Sequence, residues 1–307
     1  MRVLIEAVGS PVWGPSLKWL KEAAEWIVGT DIDPMSWGFY RINAGHLVPP
    51  YGDPEVWEKL TDICLRHSID TVIPSIHEGL PSWAERRDEL ARRGINVIVS
   101  DLPAIKICDD KWATYEFFLQ NGIPAPATSL EAKYPLLKSR RGRGGAGMRR
   151  LDLENVSGVD MNGNITQEIL EGREYSVDAL CNRDGEPACI VVRERLGVES
   201  GVSVKGRVVN EPEIEKWVRA ILGRLRFFGP VDVQCFKTGR GIFFTEINPR
   251  IAGGLSLSMA ATGNWFQWLQ RMIDGEKIGP QPVNHKLVML RCYEDVIVDE
   301  AQILHEK

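Results

Sequence analysis

GRGIFFTEINPRIAGG, Gly239 to Gly254, is the most informative stretch in these 307 residues. An apolar run of strand character ends in Glu246, Asn248 and Arg250, three side chains that are unfavourable beside a core unless something binds them. Side chains alternate along a strand, so Glu246 and Asn248 share a face, and Phe244 and Ile242 are expected to continue it. Upstream, GPVDVQCF puts Asp232 and Gln234 on one face by the same rule. If TGRG closes a hairpin around Arg240, Gln234 lies directly across from Glu246, within cross-strand reach. Three oxygen-bearing side chains then converge. Such a donor set suits Mg²⁺, which keeps waters and takes its remaining ligands from substrate phosphates. Arg250, just beyond, is placed to neutralise charge developing on a transferring phosphoryl group. A hydrogen-bonded turn, with Asn248 bonding backbone ahead of Pro249, is the competing explanation of INP. It leaves Glu246, Arg250 and the facing Gln234 unaccounted for.

A second signal lies upstream in KSRRGRGGAGM, where Gly142, Gly144 and Gly147 formally match the spacing G-x-G-x-x-G and Gly145 adds a fourth glycine. The dinucleotide fingerprint needs a helix directly after the loop, and MRRLDLENVSG has no helical apolar spacing. No Gly-Lys-Ser/Thr ends the run, which excludes a P-loop. Two explanations remain. Glycines let backbone N–H groups approach a polyphosphate while Lys138 and the neighbouring arginines supply countercharge, as in a flap between two strands. The other is an exposed basic hairpin solvated by water.

Outward from these motifs, the first hundred residues alternate short β-type runs with amphipathic stretches. RVLIEAV is followed by PSLKWLKEAAEW, where Leu17, Leu20, Ala24 and Ile27 keep helical spacing. DPEVWEKLTDICLRH carries the stripe Val56, Leu60, Ile63 and His67; DTVIPS, a helix around Trp83 to Arg93, and INVIVSD follow. This alternation predicts a parallel, doubly wound sheet. Helical DDKWATYEFFLQNG ends on Gly122, and proline-rich IPAPATSLEAKYP marks a boundary or hinge. Beyond it YPLLKS, NITQEILEG, EYSVDALC, ACIVVRER, GPVDVQCF and GIFFTEIN predict largely antiparallel strands, interrupted by one helix in EPEIEKWVRAILGRL. The expected division is an α/β domain over 1–108 and an α+β domain over 109–307. Within the latter, a small lobe with the glycine-rich flap covers about 109–172 and a larger lobe 173–307.

Hydrophobic residues make up 44% of the chain and charged residues 26%, and the net charge of -5 disfavours nucleic acid and anionic membranes as partners. The six cysteines are scattered without a CxxC pair, which fits reduced thiols better than disulfides or a zinc site. The N-terminus MRVLIEAVGSP has a short apolar run and an early Glu6, so it is expected to form a first strand and not a signal peptide. The expected location is cytoplasmic.

The chain resembles the ATP-grasp superfamily, specifically ligases similar to the large subunit of carbamoyl phosphate synthetase, from RVLIEAVG to about Gly275. GTDIDP, VPPYGDP and IDTVIPSIHEGL occur in the order of a Rossmann-like pre-ATP-grasp domain. DDKWATYEFFLQNGIPAPAT resembles the start of the grasp fold, and VDVQCF followed by FFTEINPRIAGG is the most specific element. The resemblance implies that Lys111 and Lys138 contact ATP phosphates, Lys138 also standing near the adenine edge. It places Gln167, Glu168, Ile169 and Leu170 along the adenine, Glu174 on the ribose hydroxyls, and Arg250 at the γ-phosphate. Gln234, Glu246 and Asn248 would bind one or two Mg²⁺, with Mn²⁺ as a substitute. Gln234 stands where many ATP-grasp enzymes have Glu, which lowers the negative charge of the site.

The implied activity is ATP-dependent ligation of a small-molecule carboxylate to an amine through an acyl phosphate, releasing ADP and phosphate. A homodimer is an admissible assembly. With no second synthetase half, a stand-alone ligase is expected. Arg193 and Arg195 share a strand face, and guanidinium forks suit a substrate carboxylate; a solvated strand edge is the alternative for Arg193. His77 and Glu78 follow an N-terminal strand, where open α/β sheets bind ligands, although an ordinary helix start explains them equally. Three other functions compete: a regulatory nucleotide-binding module without chemistry, a partial synthetase phosphorylating carboxylate or carbamate, and a nicotinamide-dependent oxidoreductase, which VGSPVWGPS disfavours.

Overall fold

The computed structural model describes residues 1–303 apart from Arg143, Gly144, Ala146 and Ser200. The chain divides into two compact units. Residues 1–99, 263–278 and the chain from Arg291 on form the first, and residues 100–262 with 279–290 form the second. This differs from a cut at residue 108: residues 100–108 join the second unit, and two C-terminal stretches return to the first.

In the first unit the elements run β1 (Arg2–Glu6), α1 (Trp13–Lys21), β2 (Trp26–Asp31), β3 (Ala44–Leu47), α2 (Val56–Arg66), β4 (Thr71–Ile73), α3 (Leu80–Arg92) and β5 (Asn96–Val97). The strands form one parallel sheet in the order β3-β2-β1-β4-β5, the doubly wound arrangement expected. Central β1 is apolar on both faces, with Val3, Leu4 and Ile5 fully buried, as a strand covered on both sides requires. The spacing through Ile27 overruns α1. The helix ends at Lys21, and Ile27 belongs to β2 instead.

In the second unit α4 (Leu102–Asp109) and α5 (Lys111–Gln120) lead into β6 (Thr128–Ser129), β7 (Leu136–Ser139), β8 (Arg149–Arg150) and β9 (Asn164–Gln167). These strands form a small antiparallel sheet in the order β6-β9-β7-β8, and the glycine-rich loop joins β7 to β8. Then come β10 (Arg173–Cys181), β11 (Pro187–Glu199), β12 (Val202–Val208), α6 (Pro212–Leu222), β13 (Gly229–Thr238), β14 (Gly241–Asn248) and α7 (Leu255–Thr262). Helix α8 (Trp265–Ile273) belongs to the first unit, and β15 (Val288–Leu290) closes the larger sheet of the second, ordered β14-β13-β10-β11-β12-β15 with antiparallel pairing.

That larger sheet has two unlike faces. On one, Tyr175, Val177, Ala179, Ile190, Val192, Val231, Val233 and Cys235 pack with Ala104 and Cys108 of α4, Phe117 and Phe118 of α5, and Ile214, Val218 and Ile221 of α6. Each Val, Ile or Phe among them contributes roughly 1.5–3 kcal/mol by leaving water. The alternate positions, including Glu174, Ser176, Asp178, Arg193, Arg195, Asp232 and Gln234, therefore fall on the opposite face, which is polar.

Candidate functional site

Strand β14 reaches this polar face through an irregularity. Gln234 pairs with Glu246, but the next residue, Cys235, pairs with Phe244, so Thr245 is an extra residue opposite no partner. Ile242, Phe244 and Ile247 all point into the core cluster. The bulge therefore switches the parity of the strand. Glu246 and Asn248 share a face, as alternation predicts, but Phe244 and Ile242 lie on the other one, contrary to the sequence expectation. One inserted residue turns every later side chain over, and bulges re-aim side chains in this way.

Rows of the register now define the site. Across one row lie Glu246, Gln234, Ser176 and Arg193; across the next, Asn248, Asp232 and Asp178. The hairpin thus sets Gln234 opposite Glu246 as expected from TGRG. Among the described residues, neither the Glu246 carboxylate nor Gln234 Oε1 takes part in a hydrogen bond or ion pair. No group of three His, Cys, Asp or Glu side chains is placed to hold a metal among the described residues. The donor set here is instead one carboxylate and two amides, all oxygen donors, which fits a hard cation such as Mg²⁺. Arg250 donates to Ile251 O at 3.0 Å and to Asn248 Oδ1 at 3.4 Å, which places its guanidinium beside the Asn248 amide.

Under that row lies a buried ionic chain. Arg193 is 1% exposed and forms two 2.7 Å bonds to Asp178, whose Oδ2 also accepts from Ser258 Oγ of α7 at 2.5 Å. Its guanidinium is also 3.7 Å from Asp232 Oδ1. The fork expected to grip a substrate carboxylate is therefore filled by Asp178. Gly254 of IAGG makes room for this, and Gly253 makes room for Val202 of β12. A Cβ at Gly254 would stand 2.1 Å from Arg193 Nη1, and one at Gly253 would stand 2.6 Å from Val202 Cγ1. Burial pushes the Asp232 carboxyl up to about 6, helped by the neighbouring charge of Asp178 and opposed by Arg193. Sequence reasoning set Asp232 on one face with Gln234 without giving it a role, and passed over Asp178. Their signal was a carboxylate set between valines and alanine in SVDAL and PVDVQ.

A second group of polar side chains is assembled from both sheets. Lys138 of β7 donates to Gln167 Oε1 of β9 at 2.7 Å, and the Gln167 amide in turn donates to Thr128 at 3.0 Å. Burial lowers the Lys138 pKa, Glu246 raises it, Lys111 lowers it and Glu174 raises it. Those four ionisable groups accordingly share one electrostatic site. Glu174 and Arg195, given separate roles by the resemblance, form one ion pair at 2.5 Å, and Arg195 also donates to Ser203 at 3.1 Å. Glu168 accepts from the Ala127 N–H and from Arg240, while Ile169 and Leu170 follow β9 in irregular backbone.

The described residues that begin the glycine-rich loop are rooted on the α4–α5 junction. Lys111 N–H donates to Arg140 O, Lys111 Nζ to Gly142 O at 3.0 Å, and the Arg140 guanidinium pairs with Asp110, the N-cap of α5. Burial would raise the Asp110 pKa; the hydrogen bonds from Arg140 and Trp112 outweigh it and hold the carboxyl below its ordinary value. Gly142, Gly145 and Gly147 have φ of 113°, 71° and 73°, a region that favours glycine. Gly144 lies outside the described residues. In the first unit, buried His77 and exposed Glu78 stand in a short turn after β4, at the carboxyl end of the parallel sheet.

Known proteins resemble this chain in sequence and in fold. Residues 160–294 match the family described as "ATP-grasp in the biosynthetic pathway with Ter operon", and residues 14–98 match "PylC-like, N-terminal domain". A carbamoyl-phosphate synthase of Methanobrevibacter smithii is 26% identical over 144 residues, covering 41% of this chain and 39% of the relative. The carbamoyl phosphate synthase large chain of Thermomicrobium roseum is 28% identical over 207 residues, covering 57% of this chain and 19% of the relative. The chain thus spans well under half the length of these relatives. The biotin carboxylase domain of Hydrogenobacter thermophilus 2-oxoglutarate carboxylase, solved with MgADP, ADP and bicarbonate, superposes with a TM-score of 0.71 at 15% identity. That superposition covers 92% of this chain and 72% of the other. No helix among the described residues is long and apolar enough to cross a membrane.

Proposed function

We propose that the chain is an ADP-forming ATP-grasp ligase joining a small-molecule carboxylate to an amine, a reading supported by the ATP-grasp family match over residues 160–294 and by the fold. The observation that carries this is the polar row in which Glu246 faces Gln234 with Asn248 alongside, electrostatically joined to Lys138. A regulatory module without chemistry has no need of an unpaired carboxylate beside a partly desolvated lysine.

In this proposal Glu246, Gln234 and Asn248 hold the cation, which when bound screens the phosphate oxygens of ATP. Lys138 binds nucleotide phosphate, and Arg250 stands where charge develops on the transferring group. The substrate carboxylate oxygen attacks the γ-phosphorus, the bond to the β-phosphate oxygen breaks, and ADP leaves. The amine nitrogen then attacks the acyl carbon, a proton leaves the nitrogen, and phosphate departs. Catalysis is chiefly positioning and charge stabilisation, with the flap excluding water from a hydrolysable acyl phosphate. The proposal assigns ribose contact to Glu174 and substrate contact to Arg195, which pair with each other in the structure.

The test is a screen of carboxylates and amines for ADP release, followed by hydroxylamine trapping of the activated acid as a hydroxamate. With oxygen-labelled carboxylate, one label should appear in the released phosphate. AMP as the stoichiometric product, or unlabelled phosphate, would overturn the mechanism. Bicarbonate belongs in the same screen as a second candidate acid, because the superposed biotin carboxylase holds bicarbonate and the curated relatives are carbamoyl phosphate synthases.

A further inference from the structure

A side-chain amide presents an oxygen or an NH₂ group according to a half-turn about its last bond, and only the oxygen can face a cation. Two of the three donors at the candidate cation site are amides. Something must therefore choose their orientation. Asp232 is 4% exposed, stands directly across from Asn248 on β14 and two residues before Gln234 on β13. Its Oδ2 accepts from Gln234 Nε2 at 3.1 Å and from Asn248 Nδ2 at 3.4 Å. A carboxylate oxygen rejects an amide oxygen and accepts an amide N–H, so one atom favours the same orientation at both residues, which at Asn248 the Arg250 bond to Oδ1 also favours. Its other oxygen faces Arg193 at 3.7 Å, and Arg193 is itself locked to Asp178.

Resting on the cation site of the proposed function, we propose that Asp232 is a positioning residue. Its Oδ2 holds the amides of Gln234 and Asn248 with both carbonyl oxygens turned toward the cation. Asp232 takes no part as a ligand. The acidic residue behind the amides replaces an acidic residue among the ligands: the site keeps a second carboxylate, but uses it for orientation.

The test is Mn²⁺ titration in the presence of saturating ADP, followed by electron paramagnetic resonance, on the whole chain and two variants. Asp232→Ala removes the acceptor and should weaken Mn²⁺ binding about 10- to 100-fold, the range for groups that orient metal ligands. Asp232→Asn keeps an oxygen that both amides can reach and should stay within about threefold of the parent. Asp232→Ala within threefold of the parent would overturn the proposal. So would Asp232→Asn as weak as Asp232→Ala, since charge or direct ligation would then be at work. If the parent binds no Mn²⁺ with ADP, the cation site itself fails, and the proposal with it. That result is separable from the variant outcomes because the parent alone decides it. Should Asp232→Ala not fold, side-chain amide NMR on the unaltered protein decides: the NH₂ protons of Gln234 and Asn248 should be protected from exchange without any cation. Rapid exchange at both would overturn the proposal.

Discussion

Gly254→Ala tests whether the buried ionic chain under the site is as tightly built as the geometry implies. The added methyl would stand 2.1 Å from Arg193 Nη1 and 2.6 Å from its Cζ. A long side chain on the surface would swing aside at little cost, but this one is 1% exposed and makes two 2.7 Å bonds to Asp178. Moving the guanidinium strands Asp178, itself 1% exposed, with the Ser258 hydroxyl as its remaining partner, and removes the cation nearest Asp232. Separating a buried pair in this way costs about 3–5 kcal/mol, because an uncompensated charge stays behind. For a unit the size of residues 100–262 with 279–290, each kcal/mol lowers the melting temperature by roughly 2–4 °C, so the expected drop is roughly 6–20 °C. Scanning calorimetry with circular dichroism measures it. Gly239→Ala is the control, since a Cβ there meets nothing within 4 Å. A Gly254→Ala transition within about 2 °C of the control would refute the account of Arg193 as locked, and with it the steric need for glycine at 254.

Three further outcomes are expected. Glu246→Ala should abolish ATP turnover while circular dichroism and melting stay near the parent, because the carboxylate has no hydrogen-bond partner among the described residues to lose; turnover within a few fold under saturating Mg²⁺ would refute the cation site. Lys138→Ala should weaken ATP binding in calorimetry, and its lost bond to Gln167 should loosen the β7–β9 pairing in hydrogen exchange; unchanged affinity counts against the nucleotide assignment. In the first unit, His46 and His67 meet Nε2 to Nε2 at 2.7 Å, and burial first, then neighbouring positive charge, holds both imidazoles below their ordinary pKa. The unfolded chain therefore takes up protons that the folded one refuses as pH falls through about 6.5, so stability is full above that value and is lost on acidification. His67→Asn should flatten this slope between about pH 7 and 5 in pH-resolved melting, and a parent curve already flat there would contradict it.

What could be seen in the amino-acid order, and what could not, separates along local and non-local lines. The alternation that predicted the parallel sheet, and the TGRG turn that put Gln234 across from Glu246, are short-range patterns, and they survive in the structure. The face assignment of Phe244 and Ile242 failed because period-two counting has no way to register an extra residue, and Thr245 is that residue. Helix α7 went unseen for a different reason. LSLSMAAT has apolar or small residues almost all round and packs Leu255, Leu257, Met259 and Ala261 in the interior, so it shows no polar stripe. The return of α8 to the first unit, where Asn264 caps it and donates to Trp19 O at 2.8 Å, joins residues more than two hundred positions apart.

The same distinction explains why the role of Arg193 could not be foreseen. On its own strand it shares a face with Arg195, and both forks look equally open to a substrate acid. Only the pairing of β10 with β11 brings Ser176 opposite Arg193 and leaves Asp178 within its reach, and only the closure of α7 adds Ser258. Yet the sequence did carry a trace of that chain. A carboxylate between apolar neighbours, as in SVDAL and PVDVQ, is unfavourable unless a cation or donor meets it, and two such carboxylates on paired strands need at least one buried cation between them. Arg193 is that cation. Since its charge is taken up by Asp178 and Asp232, and that of Arg195 by Glu174, both forks that the strand pattern offers to a substrate acid are filled by the protein's own carboxylates.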